Sequence, residues 1–217
     1  MKNAYYEPDS IDQVSRGLLK ELGRHRSRQG FELKPDKAAL LVIDMQRYFL
    51  EESSHAYIPS GRTILPGIIK MIRAFRNGNR PVFLTRHIDE PGQSSMLSRW
   101  WQDNIQRGDK GSEVVPELVY NGVQIIEKSH YDAFHNTYLD QILKENGITQ
   151  VVITGVMTHL CCETTARAAF MRGYEVYFTV DGTATYALNH QKATLLNLAH
   201  GFAVPVLVND VLTRMED

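Results

Sequence analysis

The stretch QVVITGVMTHLCCETTARAAFMRGYEVYFTVD, residues 150–181, decides the fold class of this protein. It opens with an apolar run at 150–155, continues with apolar residues at helical spacing over 160–173, and closes with a second apolar run at 175–181. Neither run alternates with polar residues, which is typical of strands buried on both faces of a sheet. The stretch therefore predicts two parallel strands joined by a helix.

The same alternation occupies most of the chain. Further strands are predicted at 38–43, 81–86, 123–128 and 203–209, and further helices at 64–79, 136–147 and 189–201. We predict an α/β, three-layer Rossmann-like fold, with a six-stranded, mostly parallel sheet and helices on both faces. Apolar residues at helical spacing over 10–22 add an N-terminal helical arm. We expect residues 1–35 to form this arm and 36–217 to form one domain.

The composition excludes several classes of function. Of 217 residues, 43% are hydrophobic, and 24 basic and 25 acidic side chains leave a net charge of −1. This balance predicts no attraction to nucleic acid or to an anionic membrane. We interpret the one basic run, RHRSR at 24–28, as a solvated surface. The sequence has neither an apolar span of about 18 residues nor a signal-peptide core, so we expect a cytoplasmic protein.

The two cysteines of the chain, Cys161 and Cys162, are neighbours at the start of the predicted helix. Adjacent helical positions point about 100° apart, so both thiols cannot face one site. Cys161 lies closer to the free amides of the helix start, whereas Cys162 shares a face with Ala166 and Ala169. We predict that Cys161 is the reactive thiol and that Cys162 packs in the core.

Three reactive groups follow predicted strands. Asp44 follows the strand at 38–43, Lys128 ends the strand at 123–128, and Cys161 follows the strand at 150–155. Function gathers at the carboxyl ends of strands in such sheets. We expect Lys128 and the helix N-terminus to lower the pKa of the Cys161 thiol, and Asp44 to accept its proton. Each residue alone also has a purely structural interpretation as a cap, a surface cation or a packed thiol.

Three motifs carry a resemblance to a known family: ALLVIDMQRYF at 39–49, EKSHYDAFHNTYLDQIL at 127–143 and VVITGVMTHLCCETTARAAFMRGYEV at 151–176. Across roughly residues 36–212 the chain resembles the isochorismatase-like cysteine hydrolase superfamily, which includes nicotinamidases, N-carbamoylsarcosine amidases, ureidoacrylate amidohydrolases and isochorismatases. The resemblance implies a catalytic triad of Asp44, Lys128 and Cys161. It also implies a cis peptide bond between Val156 and Met157, and an oxyanion hole of the backbone amides of Met157 and Cys161.

The resemblance implies hydrolysis of an amide or ureido C–N bond through a thioester on Cys161. True isochorismatases usually carry Gly where Cys161 stands, because hydrolysis of a vinyl ether needs no thiol nucleophile. Two alternatives stay open: an isochorismate pyruvate-hydrolase with Asp44 as the acid, and a non-catalytic scaffold that senses oxidants through its thiols. Nicotinamidases carry an Asp-x-His…His metal site, whereas residues 85–96 offer His87 and Asp89 without a matching second histidine. We expect no metal and no cofactor.

The predicted substrate is a small molecule, and eight residues are candidates for binding it: Gln46, Phe49, Arg86, Trp100, Trp101, Tyr131, Phe134 and His159. The two tryptophans suit either an apolar pocket wall or the packing of a long loop. Arg86 suits either a substrate carboxylate or a structural salt bridge. The resemblance also implies a homodimer or homotetramer, in which the arm helix docks either on a neighbouring subunit or on its own domain.

Overall fold

A six-stranded sheet forms the centre of the computed structural model, which describes residues 2–23, 31–89, 95–120 and 122–216. The sheet order is β3-β2-β1-β4-β5-β6, and every pairing is parallel. The strands are β1 Ala38–Ile43, β2 Val82–His87, β3 Gln124–Lys128, β4 Gln150–Val156, β5 Glu175–Ala184 and β6 Val204–Val206. The predicted α/β fold is confirmed, and the sheet predicted to be mostly parallel is parallel throughout its described strands.

Helices cover both faces of this sheet. They are α1 Ile11–Leu22, α2 Arg47–Leu50, α3 Leu65–Asn77, α4 Met96–Trp101, α5 Leu139–Glu145, α6 Glu163–Met171, α7 Leu188–Gly201 and α8 Val208–Glu216, and a π-helical turn spans Thr158–Cys162. In α3 the buried residues Leu65, Ile68, Ile72 and Phe75 recur at helical spacing. That stripe packs α3 against the sheet and against α8, as an amphipathic helix requires.

The C-terminal prediction was wrong in part. The strand predicted at 203–209 ends at Val206, and the helix α8 that follows it was not predicted. The backbone amide of Val208 donates to Asp181 Oδ1 over 2.8 Å, and that of Leu207 donates to Asp210 Oδ2 over 3.0 Å. These carboxylates satisfy amides that have no partner within the helix, so the chain turns into a helix there.

The N-terminal arm packs on its own domain. Leu18, Leu19 and Leu22 of α1 are buried, and the helix contacts β5 and α7. The basic run at 24–28 lies outside the described residues. Within the described part of the chain, no helix combines the length and apolarity needed to cross a membrane.

Gly155 marks a close approach between the backbones of β1 and β4. Its φ is +112°, and a Cβ built there would lie 2.1 Å from the carbonyl oxygen of Ile43, its partner in the sheet register. Any side chain therefore forces these two central strands apart.

We expect Gly155→Ala to lower the free energy of unfolding by at least about 3 kcal/mol, because it adds a backbone clash to an unfavourable φ. Gly17→Ala is the control, because Gly17 lies inside α1 with open space around it and alanine favours helices by about 0.5–1 kcal/mol. Urea unfolding measures both variants. A Gly155→Ala protein as stable as the wild type would contradict the close approach.

Candidate active site

The carboxyl ends of three strands bring Asp44, Lys128 and Cys161 together. Asp44 Oδ2 lies 2.7 Å from Lys128 Nζ, and neither side chain has exposed surface. Asp44 follows β1 with a φ of +47°, a left-handed conformation that Asp tolerates better than most residues and that turns the chain away from the strand direction. The Cys161 thiol lies within interaction range of both charged groups and is itself buried. The structure thus assembles the three residues that the strand ends suggested.

Thr85 holds the carboxylate in place. Its hydroxyl donates to Asp44 Oδ1 over 2.6 Å and accepts from the Asp44 backbone amide over 3.0 Å. Lys128 Nζ also donates to the His130 carbonyl oxygen over 2.9 Å. Thr85 was not among the residues predicted from the sequence, although a threonine directly after the apolar residues VFL of β2 was the available signal. Each charged group is therefore fixed by hydrogen bonds in addition to its ionic partner.

The direction predicted for the thiol pKa was wrong. Burial raises the pKa of Cys161 and outweighs the opposing effect of the Lys128 charge, and the carboxylate of Asp44 raises it further. Burial by itself would lower the pKa of Lys128, but the Asp44 and Cys161 charges together raise it above its ordinary value. The resting Cys161 thiol is therefore neutral and lies beside the Lys128 ammonium.

The turn that carries Cys161 is the second component of the site, and it is called the nucleophile turn because Cys161 is the candidate nucleophile. The Val156–Met157 peptide bond is cis, and the π-helical turn Thr158–Cys162 follows it before α6 begins at Glu163. The carbonyl oxygen of Met157 accepts from the backbone amide of Cys162 over 3.2 Å. Cys161 lines a cavity that is open to solvent, whereas Cys162 has no exposed surface. The two adjacent thiols therefore face different environments, as their helical spacing predicted.

Several aromatic rings line the cavity around Cys161. Three of the eight predicted substrate-binding residues line it, namely Phe49, Trp101 and Tyr131. Trp101 Nε1 donates to the Tyr131 hydroxyl over 2.6 Å. This hydrogen bond joins α4 to the loop after β3. Tyr186 adds a further aromatic ring that the sequence did not single out. These rings suit a small, flat or apolar ligand.

The other five candidates do not line the cavity, and four of them already have structural partners. Gln46 is buried, donates to the His87 and Ser112 carbonyl oxygens over 3.0 Å each, and accepts from the His87 amide over 2.8 Å. Arg86 forms an ion pair with Glu127. These contacts correct the expectation for both residues, because neither lines the cavity and each bonds to other parts of the protein.

The remaining candidates face elsewhere. The expectation that Trp100 binds the substrate is corrected, because its side chain is 73% exposed and does not line the cavity. Phe134 stacks on Tyr174 with ring centres 5.9 Å apart. His159 Nδ1 lies 2.6 Å from Thr185 Oγ1, and burial with the nearby His190 lowers its pKa to about 4. His159 is therefore a neutral ring within the turn Thr158–Cys162 and links that turn to Thr185.

Polar side chains also line the cavity. His87 Nε2 lies 3.4 Å from Asp89 Oδ1, and Asp89 Oδ2 accepts from the Ile105 amide over 2.7 Å. Tyr48 donates to Asp103 Oδ2 over 2.6 Å. Among the described residues, no group of three or more His, Cys, Asp or Glu side chains is placed to hold a metal ion. The His87–Asp89 pair alone does not fit a three-ligand site of the kind that nicotinamidases carry.

The Lys128 charge lowers the pKa of Cys161 against the larger, opposing effect of burial. The pH dependence of Cys161 alkylation therefore tests this electrostatic effect directly. Because the pKa of Cys161 is raised above its ordinary 9.0, its reaction with iodoacetamide is expected to be slow at pH 7 and to keep rising above pH 9. Lys128→Gln removes the cation and moves the profile to higher pH. Lys144→Gln, which removes an exposed surface lysine, leaves the profile unchanged.

The modified peptide is quantified by mass spectrometry, with Cys161→Ser giving the background from Cys162. A wild-type midpoint below pH 8, or a profile that Lys128→Gln does not move, contradicts this electrostatic account.

Comparison with known proteins agrees with the geometry. The Isochorismatase domain family model matches residues 38–210. Nicotinamidase 3 of Arabidopsis thaliana is 43% identical over 171 residues, which cover 76% of this chain and 82% of that protein.

Two solved structures extend the comparison. A cysteine hydrolase from Pseudomonas syringae pv. phaseolicola has a TM-score of 0.82 and 27% identity, covering 86% of this chain and 95% of its own. The N-carbamoylsarcosine amidase of Thermoplasma acidophilum has a TM-score of 0.72 and 29% identity, covering 80% and 97%. The matched domain includes Asp44, Lys128 and Cys161, and this chain belongs to the isochorismatase family of hydrolases.

Proposed function

We propose that the protein hydrolyses a C–N bond of a small amide or ureido compound through a thioester on Cys161. The observation that carries the proposal is a thiol that lines an aromatic cavity within range of the buried Asp44–Lys128 ion pair. A buried thiol beside a fixed carboxylate is arranged for proton transfer at the moment of attack rather than for standing ionisation. A scaffold that only sensed oxidants would gain nothing from this arrangement, because oxidants react with exposed thiolates.

The first half of the reaction forms the thioester. Asp44 accepts the proton of the Cys161 thiol as the sulfur attacks the carbonyl carbon of the substrate. The backbone amides of Met157 and Cys161 donate to the oxygen on which negative charge develops. The C–N bond then breaks, and Asp44 returns the proton to the departing nitrogen, so that ammonia or an amine leaves.

The second half restores the enzyme. Asp44 accepts a proton from a water molecule, whose oxygen attacks the thioester carbon and releases a carboxylic acid. The proton passes to the sulfur as the C–S bond breaks. Lys128 remains an ammonium throughout, because its pKa is raised, and it keeps the net charge of the site low whichever partner holds the shared proton.

The relatives indicate which amides to examine first. One is named a nicotinamidase and another an N-carbamoylsarcosine amidase, so nicotinamide and N-carbamoyl compounds are the first substrates to test. The aromatic wall of Phe49, Trp101 and Tyr131 favours a planar ring beside the reacting amide. A heteroaromatic amide such as nicotinamide therefore combines both indications.

The charges in the cavity weigh against the alternative reaction. Isochorismate carries two carboxylates, whereas the described cavity lining holds the carboxylates Asp89 and Asp103 and contains no Lys or Arg. Arg86, the candidate cation, is paired with Glu127 outside the cavity. Binding of a dianion would bring its carboxylates near Asp89 and Asp103, with no Lys or Arg among the described lining residues. The cavity thus favours a neutral amide over an isochorismate pyruvate-hydrolase substrate.

Replacing Cys161 tests whether amide hydrolysis uses a thiol nucleophile. We expect Cys161→Ala to lower kcat for the best amide by at least about 10³-fold, because no thioester can form. Cys162→Ala removes the neighbouring thiol, which lies in the core, and keeps kcat within a few-fold. Turnover assays of both variants on nicotinamide and N-carbamoyl amides measure this. Amide hydrolysis that survives in Cys161→Ala sinks the thioester mechanism.

The charge argument predicts discrimination between two amides of similar shape. We expect kcat/KM for benzamide to exceed that for 4-carboxybenzamide by at least about tenfold, because Asp89 and Asp103 repel the added carboxylate. Where turnover is slow, inhibition constants provide the same ratio. Asp103→Asn narrows the ratio, whereas Asp36→Asn, a surface change distant from the cavity, does not. Equal acceptance of both amides by the wild type would falsify the charge argument.

A further inference from the structure

The first described residues of the chain, Lys2–Tyr6, support the cavity wall from outside. The Asn3 amide donates to the Tyr186 carbonyl oxygen over 2.9 Å, and the ammonium of Lys2 lies 4.3 Å from the centre of the Tyr186 ring. The same ammonium donates to the His55 carbonyl oxygen. Tyr186 and His55 both line the cavity, so this segment contacts two parts of its wall.

Tyr5 extends this support to the nucleophile turn. Its hydroxyl accepts from the Thr185 amide over 2.9 Å and donates to Gln191 Oε1 over 3.0 Å. Thr185 Oγ1 in turn lies 2.6 Å from Nδ1 of His159, which belongs to the turn that carries Cys161. The Tyr5 phenol therefore joins the end of β5 to α7 and reaches the nucleophile turn through Thr185.

The segment is held firmly enough to act in this way. The backbone amides of Tyr5 and Tyr6 both donate to Ser60 Oγ over 3.0 Å, and both rings are buried. Burial raises the pKa of Tyr5 well above its ordinary value, so the phenol keeps its proton and can donate to Gln191.

Tyr6 shows what a purely structural tyrosine looks like at the same place in the chain. Its ring is 1% exposed, and its hydroxyl donates to the Val180 carbonyl oxygen within β5 over 2.8 Å. None of its hydrogen bonds reaches the nucleophile turn or a residue that lines the cavity. The two adjacent, buried tyrosines therefore differ in one respect. The Tyr5 hydroxyl bonds to Thr185, which contacts His159 of the nucleophile turn, whereas the Tyr6 hydroxyl bonds to Val180 within β5.

We propose that Tyr5 is a positioning residue of the nucleophile turn, and that the segment Lys2–Tyr5 is part of the active site. The phenol fixes Thr185, which contacts His159 of that turn, and thereby keeps the Cys161 thiol buried against Asp44 and Lys128. The effect on turnover rests on the proposed amide hydrolysis, whereas the effect on the thiol itself does not. The two can therefore be tested separately.

The test compares Tyr5→Phe with Tyr6→Phe, since each removes one hydroxyl and keeps its ring. We expect Tyr5→Phe to lower kcat about tenfold with KM changed less than about twofold, because the nucleophile loses its alignment. In the same variant the Cys161 thiol becomes more accessible, so iodoacetamide alkylation at pH 8 accelerates at least about threefold and its midpoint falls towards an ordinary cysteine value. Tyr6→Phe changes neither quantity beyond about twofold, although both variants lower the melting temperature.

Alkylation needs no substrate, so it keeps the proposal testable if no amide is turned over. In that case the proposed function fails, while a selective effect of Tyr5→Phe on the thiol still supports the positioning role. Equal effects of the two substitutions on alkylation, or no effect of Tyr5→Phe, would overturn it.

Asn3→Pro covers the case in which Tyr5→Phe does not fold. Asn3 is exposed, and proline removes the amide that donates to Tyr186 without disturbing a buried ring. We expect the alkylation rate at pH 8 to rise about threefold, in the same direction as for Tyr5→Phe. An unchanged rate in Asn3→Pro contradicts a role for the segment.

Discussion

A buried ion pair is the constraint on which the rest of the site depends. Asp44 and Lys128 approach to 2.7 Å with no exposed side-chain surface. Removing two charges from water is expensive, and their attraction offsets that cost only when the geometry is good and further hydrogen bonds are present. Thr85 and the His130 carbonyl oxygen supply those bonds, and three strands of the sheet hold the partners in place.

The same burial determines how the cysteine can react. In water a thiol near an ammonium ionises readily, but here the loss of hydration outweighs the cation and the thiol stays neutral. In the proposed mechanism, such a thiol is protected from oxidation and is activated when its proton moves to Asp44. The cavity around it combines aromatic walls with carboxylates, which favours neutral ring compounds over anions.

Local sequence patterns predicted those features that depend on neighbouring residues alone. The apolar runs gave all six strands, and the 100° separation of Cys161 and Cys162 assigned one thiol to the cavity and the other to the core. The sequence failed where a distant partner decides the outcome. The first turn of α8 is held partly by a hydrogen bond from Val208 to Asp181. Arg86 forms its ion pair with Glu127 in the neighbouring strand. Neither partner is close in sequence to the residue whose conformation or role it sets.

By itself, the sequence determined the order of strands and helices, the residues that stand at the strand ends, and the family to which their motifs point. Periodicity and motif spacing are properties of adjacent residues, so they can be read without a structure. Only the tertiary structure decided the protonation of Cys161, the composition of the cavity wall and the link from Tyr5 through Thr185 to the nucleophile turn. Those properties arise from burial and from hydrogen bonds between residues as far apart in the chain as Tyr5 and Gln191, because only folding brings such groups together and removes them from water.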